Sequence, residues 1–317
     1  MKMTFNFGSF LSARSVVGET LHELGQKHNN VWALTADTGG ALAAFKKDFP
    51  DRFIDTGVAE QNCAGIAAGL ALEGNIPFIA GMIPFMTMRA CEQNRTAICY
   101  QDLPVRFIGT GGGLTSGGGS THNAMEDISI MKSLVNMTVL SIGDPNMIRD
   151  IMILSMDYPH PLYIRLAQGK KDRMLYEPGT RTYKIGEGIT ARDGKDATII
   201  AHGEMVYVAL EAAKTLAAEG IEVRVIDMYS IKPLNKNLLL KAVKETRNIV
   251  VLEDHLMEGG LASVIADAFV DGNIYPENFK RLGIPQVFAG FGSGEELRKK
   301  YGYDDTATVA VIKQMLK

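Results

Sequence analysis

Three sets of side chains in this sequence have the types and spacing for chemistry. The first is a carboxylate, Glu60, in FIDTGVAEQNCAGIAAGLALEG (53–74). It stands just inside an expected helix, where the helix dipole favours negative charge. Ala59, Ala64, Gly65, Ala67, Ala68, Gly69 and Ala71 make that helix thin enough for another backbone to approach closely. Two readings stay open: a first-turn charge on a tight internal or subunit contact, or a carboxylate set on a packed interface to hydrogen-bond a ligand. The second set is GTGGGLTSGGGSTHNAMED (109–127), where seven of the thirteen residues 109–121 are glycine. Glycine frees φ and bares backbone N–H groups, and such a loop after a strand suits polar ligands at a following helix N-terminus. Here that helix is expected to open near Thr121 or His122. His122 would then carry a proton or stabilise an oxyanion, or else lie on the surface of a flexible loop. The third set is basic. Arg14 opens the first expected helix. Arg165 sits inside the apolar strand PLYIRLA (161–167). A buried arginine needs a partner. Its planar fork suits a phosphate or carboxylate ligand as well as an internal ion pair.

The remaining candidates are plainer. Phe85, in GMIPFMTMRA, reads as core when taken alone. Asp37 ends the strand VWALTAD. His22, His28 and His160 read as surface or structural. His202 and His255 each end a strand of the second half, and His255 is the better site candidate there because a glycine-led helix follows it. No His, Cys, Asp or Glu cluster has metal-ligand spacing. The glycine-rich segment matches neither a P-loop nor the dinucleotide fingerprint, and no G-x-S-x-G elbow occurs.

The elements that must position these residues alternate. Helix 14–27, strands 31–37 and 53–55, helix 59–74, strand 76–82, helix 88–100 and strands 105–110, 137–142 and 161–167 predict βαβ units and a mainly parallel sheet. The polar, glycine-rich stretch 168–196 reads as a linker with a hairpin. A second βα series then runs through strands 197–203, 223–228 and 248–254, helices 206–220 and 259–269, and a terminal helix. The expected architecture is therefore α/β in two domains, 1–180 and 181–317, each a mainly parallel sheet flanked by helices. In open sheets of this kind ligands lie at the strand carboxyl ends.

The 317 residues suit two domains at ~150 each. With 46% apolar and 22% charged residues, composition excludes disorder. Thirty-three basic against 36 acidic side chains argue against a nucleic-acid surface. No apolar run approaches the ~18–20 residues of a membrane span. Three cysteines without C-x-x-C do not make a disulfide framework or zinc site. The N-terminus does not read as a signal peptide, so a cytoplasmic protein is expected.

The blocks DTGVAEQNCAGIAAGLALEG, LPVRFIGTGGGLTSGGGSTHNAMEDISIM and PLYIRLAQG resemble the pyrimidine-binding domain of transketolases. ATIIAHGEMVYVALEAAKTLAAEGIEVRVIDMYSIKPL and VVLEDHLMEGGLASVIADAF resemble their C-terminal domain. The likeness spans nearly the whole chain in the right order and is nearest to the C-terminal subunit of a split transketolase. It implies thiamine diphosphate as cofactor and transfer of a two-carbon ketol unit from a ketose phosphate to an aldose phosphate. It implies that Glu60 hydrogen-bonds the aminopyrimidine nitrogen, favouring the imino tautomer. Phe85 would stack on that ring, and Asp37 would face the cofactor. His122 would contact substrate oxygens beside the reacting carbon. Arg14 and Arg165 would bind the sugar phosphate. The family's GDG motif and following Asn, which hold Mg2+ (or Ca2+) and the diphosphate, do not occur here. The resemblance therefore implies that a partner subunit supplies them, meeting the thin helix 59–72 in a two-plus-two heterotetramer. Gly111, Gly118 and Ala41 stand where transketolases typically carry histidine, aspartate and serine, which points to a less polar pocket and a branched or sulfonated ketose. A 1-deoxyxylulose-5-phosphate synthase-like enzyme, a 2-oxoacid dehydrogenase beta subunit and a non-enzymatic scaffold are the alternatives.

Overall fold

The computed structural model describes residues 5–115, 118–167 and 171–317. Both halves are α/β with mainly parallel sheets, as the alternation predicts. The first sheet has seven strands, in the order 230–232, 138–142, 162–166, 106–110, 76–82, 31–35 and 53–55. All pair in parallel except the edge strand Ser230–Lys232, which runs antiparallel beside Thr138–Ile142. The second half thus lends a strand to the first sheet, and the sheet boundary is not a single cut in the chain. The second sheet, in the order 278–284, 248–256, 197–201, 223–227 and 189–192, is parallel apart from Ile189–Arg192.

Helices cover both faces of the central strands. That is why Thr138–Ile142, Leu162–Leu166 and Ala197–Ala201 are buried along their whole length and read as continuous runs rather than as alternation. Any charge in such a strand has to be paired inside. The helix Ala13–Lys27 is capped by Ser12, whose hydroxyl accepts the Ser15 N–H at 3.2 Å. Val17, Leu21 and Leu24 face the core, each stabilising the fold by about 1.5–3 kcal/mol. Gly18 lets this helix lie against the Ala41 carbonyl; a methyl group at Gly18 would come within 2.0 Å of that oxygen. The contact brings Arg14 and Ala41 to one groove.

Three expectations change. Segment 168–196 forms no hairpin of its own among its described residues: Asp172–Arg173 pairs with Phe10–Leu11, and Ile189–Arg192 pairs with Val223–Asp227. Helix 88–100 is instead two wide π-helical segments, Phe85–Arg89 and Asn94–Cys99, with a short α turn between. The helix after the glycine-rich loop starts at Asp127, five residues past His122, which lies in a turn. Composition locates a glycine-rich loop but not where its chain regains helical geometry.

Candidate active site

The order of the first sheet reverses direction between strands Val31–Thr35 and Ile76–Met82, and the chemistry-bearing residues gather at the carboxyl ends of these strands and their neighbours. Glu60 is the first residue of helix Glu60–Leu72 and is 8% exposed. Its Oε2 accepts from Arg89 Nη1 at 2.5 Å, while its Oε1 takes no hydrogen bond among the described residues. The Arg89 guanidinium also lies over the Phe85 ring, 4.7 Å from its centroid. On the same ring, His122 packs edge to face at 5.3 Å. Phe85 therefore joins Glu60, through Arg89, to His122. The π-helical turn that carries Phe85 and Arg89 is of a kind concentrated at functional sites. Arg89 is absent from the sequence-derived candidates; the helix expected there, 88–100, leaves Phe85 outside it, so no helical spacing links the two.

Across the end of strand Ile76–Met82 lies an open groove of about 800 Å3, lined in part by Arg14, His22, Asp37, Thr38, Ala41 and Met82. Arg14 Nη2 donates to Thr110 Oγ1 at 3.3 Å. Asp37 adopts φ 59° at the mouth, and its N–H donates to Asp55 Oδ1 at 3.0 Å. Asp37 and Arg14 thus share one groove, and Glu60, Phe85 and His122 share the adjoining cluster.

Arg165 stands apart. It is 2% exposed, and its Nε donates to Asp127 Oδ2 at 2.8 Å. The same oxygen accepts the Tyr163 hydroxyl at 2.7 Å, and Arg165 Nη2 donates to the Asp254 carbonyl at 2.8 Å. Burial alone would lower the guanidinium pKa, but Asp127, Tyr163 and Asp254 together outweigh it and hold the group above its ordinary value. Of the two roles open to an arginine in an apolar strand, this geometry is the internal ion pair; no face of it meets the Arg14 groove. The reason is covalent. Side chains alternate along a strand, and Tyr163 and Arg165 share the face turned to Asp127.

The second-half histidines are also internal. His255 is buried; its Nδ1 donates to the Leu256 carbonyl at 2.8 Å and its Nε2 accepts from Ser129 N–H at 3.4 Å. His202 bonds Ser141 Oγ at 2.8 Å, and burial holds both imidazoles below their ordinary pKa. Neither reaches an open cleft. His160 pairs with Asp102 and His22 with Asp48.

Comparison with known proteins places the whole chain in a family. Residues 10–171 match the family description "Transketolase, pyrimidine binding domain", and residues 186–307 match "Transketolase, C-terminal domain". The chain belongs to the transketolase family. A putative transketolase C-terminal section from Methanocaldococcus jannaschii is 36% identical over 314 residues, covering 98% of each chain. One subunit of an apulose-4-phosphate transketolase from Phocaeicola vulgatus is 33% identical, covering 93% of this chain and 95% of that one. A solved structure described as a split gene transketolase, inactive beta4 tetramer, superposes with a TM-score of 0.86 at 37% identity over 96% of this chain and 98% of that one. A 1-deoxy-D-xylulose-5-phosphate synthase from Halothermothrix orenii is 34% identical, but the match spans only 46% of its length.

Members of this family depend on thiamine diphosphate, and the cluster fits its aminopyrimidine. A flat heterocycle with a ring nitrogen needs an aromatic surface and a hydrogen-bonding group at its edge. Phe85 is half-buried, and Glu60 keeps one carboxylate oxygen without a partner among the described residues. Among the described residues no group of three or more His, Cys, Asp or Glu converges on a metal position, and no helix is long and apolar enough to cross a membrane.

Proposed function

We propose that this chain is the pyrimidine-binding and C-terminal subunit of a two-chain, thiamine diphosphate-dependent transketolase. It moves a two-carbon ketol unit from a ketose phosphate to an aldose phosphate. The observation that carries this reading is the near-buried Glu60 carboxylate, set through Arg89 beside Phe85 and His122 at the edge of an open groove.

Each residue has a part. Glu60 accepts or returns a proton at the aminopyrimidine nitrogen, a step that a positioned carboxylate accelerates. Phe85 fixes the plane of that ring, and Asp37 borders the cofactor. His122 donates to oxygens of the sugar next to the bond that breaks. Arg14 binds the phosphate end from the groove, without Arg165, which Asp127 holds inside. The cofactor, when bound, supplies the carbanion chemistry.

A partner subunit with the GDG–Asn motif would hold Mg2+ (or Ca2+) and the diphosphate. The helix Glu60–Leu72 supports this. Gly65 and Gly69 face outward with no atom within 4 Å of a β-carbon placed on them, beside exposed Val58 and Leu72. That is the thin, apolar surface a second subunit would cover, and a two-plus-two heterotetramer is the symmetric assembly it favours. The names of the Methanocaldococcus section and the Phocaeicola subunit point the same way. A cytoplasmic location is in keeping with such an enzyme.

The test mixes the chain with its GDG–Asn partner, thiamine diphosphate and Mg2+, and follows ketol transfer. Apulose 4-phosphate, xylulose 5-phosphate and a sulfonated ketose are offered as donors, with ribose 5-phosphate as acceptor. Gly111, Gly118 and Ala41 remove polar groups from the pocket, so a non-standard donor should outperform xylulose 5-phosphate. Pyruvate-dependent turnover in place of ketol transfer would favour the 1-deoxyxylulose-5-phosphate synthase-like or 2-oxoacid dehydrogenase reading.

A further inference from the structure

The loop that carries His122 is closed at its base and seated on the other half of the molecule. At the base, Gly113 and Ala124 exchange backbone hydrogen bonds, Gly113 N–H to Ala124 O at 2.7 Å and Ala124 N–H to Gly113 O at 3.2 Å. Beneath this closure lies Asp254, from strand Asn248–Leu256 of the second sheet and 2% exposed. Its Oδ1 accepts the Leu114 N–H at 3.3 Å and the Tyr303 hydroxyl at 2.9 Å. Arg298 Nη1 lies 3.8 Å from its Oδ2. The Asp254 carbonyl in turn accepts from Arg165, whose Nη2 also donates to the Ala124 carbonyl at 3.4 Å. Gly113 must be glycine for this arrangement. Its φ is +71°, and a methyl group there would come within 2.1 Å of the Asp254 carboxylate.

The far side of the loop is seated as well. The Phe291 ring covers Gly119, where an added methyl group would come within 2.6 Å of it, and Ser120 Oγ donates to the Ala289 carbonyl. Just after the loop, Leu256 N–H donates to the Met125 carbonyl at 3.0 Å. A glycine-rich segment loses much entropy on adopting one conformation, so a histidine on it is placed only if something else fixes the ends. Here every one of these fixing groups belongs to the second half of the chain or is held by it.

We propose that Asp254 is a positioning residue: through Leu114 and the Gly113–Ala124 closure, the C-terminal domain sets His122 against Phe85. This rests on the transfer reading above, and it gives the domain that carries none of Glu60, Phe85, His122, Asp37 and Arg14 a part in turnover. It also accounts for Arg165, which braces the same closure from within the first sheet.

The test uses the reconstituted complex with Asp254→Ala, Asp254→Asn and Phe291→Ala. Phe291 is 84% exposed, so its truncation spares the core. Ketol transfer, calorimetric affinity for thiamine diphosphate, and hydrogen exchange of segment 109–124 are measured on each. Misplacement of a catalytic group by about 1 Å costs about 10²-fold, and that is the expected loss of kcat in Asp254→Ala. Cofactor affinity should stay within roughly threefold, because Glu60 and Phe85 are not on the loop. Exchange should rise in 109–124. Asp254→Asn, which keeps the Oδ1 acceptor, should recover most of the loss, and Phe291→Ala should show a smaller loss of the same kind. Folded Asp254→Ala with unchanged kcat and loop exchange would overturn the proposal, as would a parallel fall in cofactor affinity. If Asp254→Ala does not fold, Phe291→Ala decides: altered loop exchange with lowered kcat supports the proposal, and no change in either readout overturns it. If the wild-type complex binds cofactor yet transfers no ketol unit, the transfer reading fails, and loop exchange alone still judges the clamp.

Discussion

Arg14, on the helix Ala13–Lys27, and Arg165, in the strand Leu162–Leu166, do opposite work. Arg14 has one weak hydrogen-bond partner among the described residues, Thr110, and faces an open groove. Arg165 is enclosed, with Asp127, Asp254 and Ala124 around it. The same contrast separates the regions they belong to. Around Glu60 a carboxylate oxygen without a partner among the described residues lies beside an open groove; Asp127 and Asp254 are enclosed with Arg165, Tyr163 and Tyr303, and the oxygens they leave unbonded, Asp127 Oδ1 and Asp254 Oδ2, are buried away from any ligand. A charge that the fold satisfies by itself holds parts together, and a charge left short of partners at a groove is the one available to a ligand.

The sharpest way to break this comparison is to remove the ligand-facing carboxylate. Glu60→Gln keeps size and polarity but cannot take up the proton, so ketol transfer by the complex should fall by roughly 10²–10⁴-fold with an unchanged melting temperature. A variant within a factor of a few of wild type would dissolve the distinction between the regions. On the buried side, Asp127→Ala strands Arg165 without its counter-charge and should cost about 3–5 kcal/mol in urea unfolding. A cost below about 1 kcal/mol is what an exposed pair gives, and would place Arg165 with the ligand-facing groups after all. Arg14→Ala should raise KM for the sugar phosphate by about tenfold, the loss of roughly one charge-assisted hydrogen bond, while unfolding stays unaltered.

A further effect, on stability rather than turnover, is a pH slope confined to the enclosed region. Burial pushes the Asp227 carboxyl up to about 7, against the Tyr176 hydroxyl that donates to it, and burial likewise pushes Glu253 up to about 8. Both are raised above the unfolded values near 4, so the folded state binds more protons across that window. Their contribution is complete below pH ~4 and is lost as pH rises through about 7 to 8. Unfolding free energy of the chain should therefore decline over that range, and Asp227→Asn should flatten the decline.

Much of this is legible in the sequence, and the misses have physical causes. Glu60 and His122 stand out by type, Phe85 only through resemblance, and the fold brings them together. The strands 138–142 and 162–166 are visible because a sheet covered on both faces demands continuous apolar runs. The role of Arg165 is not decidable from the chain, since either partner, ligand or Asp127, satisfies a buried guanidinium. Arg89 escapes notice because a wide π turn, not a regular helix, brings it back over Phe85. Asp254 escapes because its importance comes from a contact with Leu114, 140 residues away, and no local pattern encodes such a distance. The edge strand Ser230–Lys232 is hidden for the same reason: it pairs outside its own half.

The central claim is that Glu60 belongs to a cofactor site that this chain does not complete alone. Calorimetric titration of thiamine diphosphate with Mg2+ into this chain, its GDG–Asn partner and their mixture tests it most directly. The account predicts tight binding to the mixture, weak or no binding to this chain, and weakened binding when the mixture carries Glu60→Gln. Micromolar affinity of the chain by itself, or a mixture indifferent to Glu60, would contradict it.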